Sequence, residues 1–388
     1  MRNITTMVFL IILLTIKLST GLSSGTHDEA YKHLKLGKEC ISNDQLLDAL
    51  SNFHKAVEAD PQNYLTYFER GNAYLLLEEF KNALRDFNQA LELKPNYTPA
   101  IIKKAKIYMK QCKFDSARLH YDAVLMEDPY NKEAILATKM IDRTEATVQK
   151  AKSLYERKKY DAAFDKLTDA IQTCPWSPDL YELRVNINIA DGFKKSAILD
   201  LQSILQLETY NTEGYFRVSI LFYQLGQVFF ALQSVRECLK FDPEHTRCFS
   251  FYKKIKKVNK LLEGAMNALK EEQYELCVNK AKNVMKEERQ VEDVRHEANV
   301  LLCSCYSKDQ KSSEAIKFCT KAINYQHNPA QYCDRADAYL QAGAYSSAFK
   351  DYNFALKLDG ENLRARDGIW VLSKHVNLEN LEYLKREL

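Results

Sequence analysis

Glycine and proline are scarce in this chain of 388 residues, which contains 11 and 8 of them respectively. This scarcity favours helix over sheet and argues against long disordered linkers. A strong charge of one sign is also lacking, because the net charge is only +3, so the balance gives no argument for a nucleic-acid partner. After the first 21 residues, no apolar stretch approaches the roughly 20 residues that span a bilayer, so stable membrane insertion is not expected.

Catalytic and metal-binding patterns are missing as well. The eight histidines are scattered without ligand spacing, and the sequence contains no glycine-rich phosphate loop. Cys303-Ser304-Cys305 is not the C-x-x-C spacing of a redox or zinc site. The sequence therefore predicts a protein that is not an enzyme and that uses no cofactor or metal.

What the chain does contain is an internal repeat, which is clearest at residues 64–97. This stretch is 34 residues long and carries small residues where two helices would cross closely, aromatic residues that would fill the space to the next helix pair, and Pro95 to end the second helix. The spacing is that of tetratricopeptide (TPR) repeats, which bury their apolar faces only by stacking on one another.

The repeat continues along the whole chain with two equal interruptions. The alanine at the helix crossing recurs every 34 residues, at Ala49, Ala83 and Ala117 and again at Ala163, Ala197 and Ala231. From Ala117 to Ala163, and again from Ala231 to Cys277, the spacing is 46 residues. The inserts near 132–143 and 246–257 contain neither proline nor glycine, so each is expected to lengthen the first helix of the next repeat.

The predicted fold is therefore an all-α TPR solenoid of nine helix-pair repeats in three blocks of three, joined by long helices. The blocks are residues 28–131, 132–245 and 246–362, and residues 363–388 are expected to form a C-terminal cap helix. Gly192, Gly226 and Gly343 are placed at turns between the two helices of their repeats, where a positive φ is often needed.

Both ends of the chain indicate the endoplasmic reticulum. Residues 1–21 have the basic start, short apolar core and small residues of a cleaved signal peptide. The chain finishes Lys385-Arg386-Glu387-Leu388, which resembles the K-D-E-L retention signal and suggests a natural stop. Ten cysteines fit an oxidising lumen, and Asn96-Tyr97-Thr98 is a glycosylation sequon in a turn between repeats, followed by Pro99.

The first block is predicted to carry an apolar groove on the concave side of the stack. Its docking residues would be Leu34, Ile41, Leu65, Phe68, Leu75, Leu76, Ile102 and Met109. Such a face would receive apolar side chains of an unfolded or extended peptide. The alternative is that these side chains pack under the neighbouring repeat.

The other blocks suggest different partners less strongly. The middle block is more polar and includes Glu182 and Glu213, so a second hypothesis is a regulatory scaffold or inhibitor that binds one folded partner there, such as a kinase domain. Tail binding by a carboxylate clamp is not expected, because Leu34 and Lys38 occupy the positions where a clamp needs lysine and asparagine.

Two cysteine pairs lie at spacings that would allow disulfides. Cys238 and Cys248 lie on adjacent helices around Pro243, and Cys303 and Cys319 lie on the two helices of the eighth repeat. Cys305 would be a worse partner for Cys319. Buried free thiols are the alternative for all of them, and no fate is assigned to Cys40, Cys112, Cys174, Cys277, Cys305 or Cys333.

The segments 33–38, 48–64, 234–249 and 303–319 resemble the family of endoplasmic-reticulum co-chaperones that carry TPR repeats and a J domain, DnaJ subfamily C, also described as inhibitors of an interferon-induced protein kinase. The resemblance runs from about Tyr31 to Val371 and includes both inserts. It implies disulfides Cys238–Cys248 and Cys303–Cys319. It also implies a lumenal protein that binds misfolded clients through its first block, supports the lumenal heat-shock ATPase and takes part in the unfolded protein response.

This sequence departs from the family in one respect. It contains no His-Pro-Asp motif, the motif by which a J domain stimulates its ATPase partner, and it stops where that domain would begin. ATPase stimulation is therefore in doubt, and binding of misfolded or unfolded polypeptides is the function expected to remain. Kinase inhibition has no signature that can be assigned to particular residues.

Overall fold

The computed structural model describes residues 27–375, and the regular secondary structure in this range is entirely α-helical. The predicted fold class, a TPR solenoid, is confirmed. The predicted signal peptide at 1–21, the last part of the predicted cap helix at 376–388 and the Lys-Arg-Glu-Leu ending lie outside the described residues.

The chain divides into two compact units, with the boundary between Leu180 and Tyr181. The helices before this boundary are α1 (27–42), α2 (Leu46–Ala59), α3 (Tyr64–Leu76), α4 (Phe80–Leu93), α5 (Thr98–Lys110), α6 (Phe114–Glu127), α7 (Lys132–Glu156) and α8 (Tyr160–Thr173). They form four antiparallel pairs, which are repeats one to four.

Helix α9 (Pro178–Ala190) contains the boundary in its first turn and opens repeat five. The helices that follow are α10 (Lys194–Leu207), α11 (Thr212–Gln224), α12 (Val228–Phe241), α13 (Thr246–Lys270), α14 (Tyr274–Glu287), α15 (Glu292–Lys308), α16 (Ser312–Tyr325), α17 (Pro329–Gln341), α18 (Tyr345–Leu358) and α19 (Leu363–His375). The last of these packs on α17 and α18 as the described part of the cap.

Within residues 27–375, the turn inside each repeat holds one residue with a positive φ, and there are nine such turns. Three of these residues are the glycines that the sequence pointed to, Gly192, Gly226 and Gly343, so this expectation is confirmed. The other six are Asp44, Glu78, Cys112, Lys158, Glu272 and Gln310. A side chain in this conformation costs on the order of 1 kcal/mol, so packing of the flanking helices holds these turns in place.

Close packing inside a repeat depends on small residues at the helix crossing. The predicted crossing alanines Ala49, Ala83 and Ala117 are fully buried. Gly71 of α3 faces the ring of Phe87 on α4, and a Cβ there would lie 2.8 Å from Phe87 Cε1. A larger side chain at 71 would therefore push the two helices of repeat two apart.

The two predicted inserts do lengthen helices. Helices α7 and α13 are each 25 residues long, and both begin where the period breaks. Each opens with a side-chain cap, in which Asn131 accepts from the backbone N–H of Ala134 and His245 accepts from that of Cys248. The unit boundary at Leu180 falls within the predicted middle block, so the division into three blocks remains a prediction.

Three repeats share a buried ion pair that the sequence analysis missed. In each, two guanidinium nitrogens of an arginine on the first helix donate hydrogen bonds to an aspartate on the second helix, 16 positions later. The pairs are Arg70 and Asp86, Arg184 and Asp200, and Arg335 and Asp351. The three aspartates are 1%, 4% and 6% exposed. Bidentate geometry and burial make these pairs fixed links between the two helices of a repeat.

Candidate peptide-binding face

The eight predicted docking residues lie on the first helices of repeats one to three, as the register predicts, but most of them are covered. Leu34, Phe68 and Met109 are only 5%, 8% and 8% exposed. Ile41, Leu65, Leu75 and Ile102 are half-buried, and Leu76 is 54% exposed. We use the name groove face for these eight residues.

Leu34, Phe68 and Ile102 occupy the same position in successive repeats, but Leu34 and Phe68 are buried, so these side chains do not form an open ladder, and the packing shows why. Leu34 belongs to a cluster that also contains Ala73 and Leu65 of the next repeat. The ring of Phe68 lies 5.0 Å from that of Tyr97, at the turn that leads into repeat three. The first helix of each following repeat thus covers this position, which was the alternative left open by the sequence.

Ion pairs cross between the first helices of successive repeats on both units. In the first unit Lys38 Nζ lies 2.8 Å from Glu69 Oε1, and Lys106 pairs with Glu133. Each of these two lysines is thereby paired with a glutamate of the next repeat. Such partly exposed pairs contribute at most about 1 kcal/mol each.

The polar residues of the middle block are paired in the same way. Glu182 Oε1 lies 2.5 Å from Arg217 Nη1, and Glu213 Oε2 lies 3.1 Å from Arg247 Nη1. These carboxylates connect repeats five, six and seven. The structure therefore gives no specific support to the hypothesis that they bind a folded partner.

Large apolar side chains that sequence reasoning missed are exposed at the end of the first unit. Leu119 and Met126 lie seven residues apart on α6, and Leu136 and Met140 lie four residues apart on α7. They are 69%, 85%, 65% and 51% exposed, and Tyr130 in the turn between the two helices is 87% exposed. The helical spacing of 136 and 140 was the signal that could have found them.

The cysteines form three pairs in the structure. Cys238 is bonded to Cys248 and Cys303 to Cys319, the two pairs that the resemblance implied. Cys305, the worse predicted partner for Cys319, is bonded to Cys277 of the preceding repeat, a link that the sequence analysis does not predict. The remaining cysteines of the described range are free, namely Cys40, Cys112, Cys174 and Cys333.

One histidine lies beside a disulfide. The side chain of His245 approaches both Cys238 and Cys248, with the ligand atoms of all three within 4.8 Å of one another. This is a grouping that can hold a metal ion when the sulfurs are free, but here they are bonded to each other. The histidine instead caps α13 through Nδ1.

Cys112 is half-buried, and its thiol is expected to react more slowly than this degree of exposure suggests. Its hydrogen bond with Cys174 and its burial raise the pKa of the Cys112 thiol, and only the thiolate reacts. We expect iodoacetamide to alkylate Cys112 about tenfold more slowly than Cys40, which is half-buried to a similar degree. Mass spectrometry of timed samples measures both rates, and equal rates would contradict the expectation.

Two further features bear on where the chain works. Asn96 is exposed in the turn between α4 and α5, an accessible place for a glycan, although glycosylation itself remains a prediction. Within 27–375, each helix is either too short or too polar to cross a membrane.

Comparison with known proteins identifies the family. The family model described as "Tetratricopeptide repeat" matches residues 64–97. The chain is 35% identical over 365 residues to DnaJ homolog subfamily C member 3 of Rattus norvegicus, covering 93% of this chain and 72% of the rat protein. The corresponding protein of Gallus gallus is 36% identical over the same shares of both chains.

A solved structure agrees with the sequence match. The crystal structure of the P58(IPK) TPR domain superposes with a TM-score of 0.78 at 34% identity, and the alignment covers 92% of this chain and 98% of that one. The fold is therefore that of a solved TPR domain. The chain belongs to the family of DnaJ homolog subfamily C member 3.

Proposed function

We propose that this protein is a TPR co-chaperone of the endoplasmic-reticulum lumen, which binds misfolded or unfolded polypeptides through exposed apolar side chains of its first unit. It would thereby support the lumenal heat-shock ATPase and the unfolded protein response. The observation that carries the proposal is the set of exposed leucine and methionine side chains on α3, α6 and α7. Helices α6 and α7 pack on each other and expose four of these side chains. Soluble surfaces seldom display such a group without a binding role, and methionine adapts to varied apolar partners.

The structure changes which residues should be tested. Glutamate at position 34 or 68 would place a charge in a packed cluster and unfold the repeat, so loss of binding there would be uninformative. The informative positions are exposed ones. We therefore choose Leu76, Leu136 and Met140, whose removal from the surface should change the free energy of unfolding by less than about 0.5 kcal/mol.

The triple variant Leu76→Gln, Leu136→Gln and Met140→Gln is expected to weaken binding of reduced, unfolded α-lactalbumin by about tenfold. Each side chain is expected to contribute only roughly 0.5 kcal/mol, because it would be partly buried by the client. Losing three such contacts weakens binding by about tenfold. Binding is measured by fluorescence anisotropy of labelled client, with circular dichroism to verify that helicity persists.

The matched control removes equally exposed leucines from the second unit: Leu199→Gln, Leu276→Gln and Leu363→Gln. It should bind the client as tightly as the unaltered chain. An equal loss of client affinity in both triple variants, or no loss in either, would contradict the assignment of client binding to the first unit.

The lumenal location is supported by the signal-like pattern at 1–21 and by the disulfides, which persist in oxidising compartments. Protease added to intact microsomes tests it. Digestion of the chain without detergent would contradict a lumenal location.

A further inference from the structure

The loop between α8 and α9 contacts the turns of earlier repeats in the first unit. The backbone N–H of Trp176 in this loop donates to the carbonyl oxygen of Lys110, the last residue of α5, at 3.0 Å. The ring of Trp176 also stacks on Phe80, the first residue of α4, with centroids 3.9 Å apart. The loop that follows repeat four is therefore attached to the turns inside repeats two and three.

The length of α7 makes this contact possible. Helix α7 has 25 residues, twelve more than α5, and the extra length of about 18 Å carries the turn between α7 and α8 past the turn inside repeat three. Helix α8, with 14 residues, runs back and ends beside that turn. We use the name repeat 3–4 joint for residues 110–112 and 174–177, where the two parts of the chain meet.

Two of the free cysteines meet at the repeat 3–4 joint. Cys112 lies in the turn inside repeat three, and Cys174 directly follows α8. The side chains of the two cysteines are hydrogen-bonded to each other, and the backbone N–H of Cys112 also donates to the Cys174 sulfur. Each cysteine is two positions from the backbone bond between Lys110 and Trp176. Two sulfurs held in contact by their backbones need only a small approach to bond covalently.

The corresponding joint beyond the second long helix is closed by other groups. Glu288 directly follows α14, as Cys174 follows α8. Gly226 is the positive-φ residue of the turn inside repeat six, as Cys112 is in repeat three. Glu288 accepts a hydrogen bond at 2.7 Å from the hydroxyl of Tyr223, three residues before Gly226. Both joints thus carry a direct link between loop and turn, and in the first unit the groups that meet are two thiols.

The two thiols differ in a way that suits disulfide exchange. The hydrogen bond between them raises the pKa of Cys112 and lowers the pKa of Cys174. The Cys174 sulfur is therefore the better nucleophile. It is fully buried, whereas Cys112 is half-buried in a surface turn. An external disulfide thus meets Cys112 first, and Cys174 lies beside it to complete the exchange.

We propose that Cys112 and Cys174 are a thiol–disulfide exchange site, where an external disulfide is reduced and a disulfide between the two cysteines closes the repeat 3–4 joint. First, the Cys112 sulfur bonds to one sulfur of the external disulfide, and the other sulfur leaves as a thiol. The Cys174 sulfur then bonds to Cys112 and displaces the second thiol. The two released thiols carry the two protons, and two electrons pass from the cysteines to the external disulfide. The site does not rest on the proposed client binding.

The test uses the full chain and oxidised glutathione as the external disulfide. After incubation, free thiols are alkylated with N-ethylmaleimide, and mass spectrometry of a digest measures the peptides joined through Cys112 and Cys174. This cross-link is expected in most molecules, while Cys40, the other half-buried free cysteine, should at most carry glutathione. Hydrogen exchange of the α8 amides should slow by at least about tenfold once the cross-link has formed.

Three results would overturn the proposal. One is a glutathione adduct that persists on Cys112, and another is a cross-link from either residue to a different cysteine. The third is absence of the Cys112–Cys174 cross-link both in the native chain and in a chain refolded from its reduced, unfolded state in the same buffer. The variant Cys112→Ser is the control for hydrogen exchange, because its α8 amides should exchange equally fast with and without oxidised glutathione.

A second pair of variants connects the exchange to the joint. Trp176→Leu removes the stack on Phe80 and should lower the equilibrium constant for disulfide formation by about fivefold, the contribution of one aromatic stack. The matched control is Trp370→Leu, which replaces the chain's other tryptophan, an exposed residue of α19. It should leave the equilibrium constant unchanged. Equal effects of the two variants would contradict the role of the α8–α9 loop in holding the two cysteines together.

Discussion

Replacing Glu288 with glutamine is expected to destabilise the second unit by about 3 kcal/mol at pH 7, the range for breaking a buried charged network. The carboxylate is 1% exposed and uses both oxygens. Oε1 accepts from the backbone N–H groups of Gln290 and Val291, at 2.7 and 3.0 Å. Oε2 accepts from the Tyr223 hydroxyl at 2.7 Å and lies 2.7 Å from Lys254 Nζ.

These contacts make the loss dependent on pH. Burial alone would raise the pKa of Glu288, but the hydrogen bonds from Lys254, Tyr223 and the two backbone amides outweigh it and lower the pKa to about 2. Because this value is below the ordinary one, the stabilisation is fully present above about pH 4.5 and is lost as the pH falls towards 2. The difference between the unaltered chain and Glu288→Gln should shrink over that window.

Hydrogen exchange of the amides in α11, α13 and α15, together with urea unfolding at several pH values, measures the effect. The matched control is Glu287→Gln. Glu287 is the neighbouring residue and pairs with Lys257 at 2.7 Å, but its side chain is 36% exposed and its partner 62% exposed. This control should cost less than about 1 kcal/mol. A difference at pH 7 that persists unchanged at pH 2 would refute the role of the charge.

Replacing Asp86 with asparagine should destabilise repeat two by about 3 kcal/mol, since it leaves the Arg70 guanidinium buried without its counter-charge. The side chains of the pair are only 11% and 2% exposed, and Nε and Nη2 of Arg70 lie 2.7 and 2.9 Å from the two oxygens of Asp86. The effect should appear as faster hydrogen exchange in α3 and α4. Exchange in α17 and α18, which have their own ion pair, should not change.

The control for this prediction is Asp169→Asn in the same unit. Asp169 pairs with Lys166 at 3.1 Å on the surface of α8, where both side chains are at least 38% exposed, and its loss should cost under about 0.5 kcal/mol. Changing both residues, as Arg70→Met with Asp86→Leu, should restore much of the stability because no unpaired charge remains. Equal costs for Asp86→Asn and Asp169→Asn would show that the pair is not a buried link.

The architecture could be predicted because it depends on the spacing at which similar residues recur along the sequence. Spacings of 34 and 46 residues determine where helices begin, and the long helices α7 and α13 follow from inserts without proline or glycine. Only three of the nine repeat turns could be anticipated from glycine. The other six use residues such as Glu78 and Lys158, which adopt a positive φ only because the flanking helices impose it.

The site was less predictable because exposure depends on the next repeat. Register places Phe68 and Leu76 on the same helix face, but only the packing of α5 and its leading turn decides that the first is covered and the second is open. Glu288 could not be found at all from sequence. Its partner Tyr223 is 65 positions away in the sequence. Glu288 itself lies in the loop between α14 and α15, and this loop comes close to Tyr223 only because the repeats stack.

The helix boundaries also record how the chain is built. Helices α6, α7 and α8 recur as α12, α13 and α14 with the same lengths and a constant offset of 114 residues, as from Lys132 to Thr246. The buried residues of the two long helices recur with this offset too, from Ala134 and Ile141 to Cys248 and Ile255. Equal helix lengths and equivalent buried positions at a constant offset are typical of tandem duplication of a three-repeat segment. Gain or loss of one whole segment would keep each cap and buried stripe in register, so a gene of this kind can change length in large steps without rebuilding an interface.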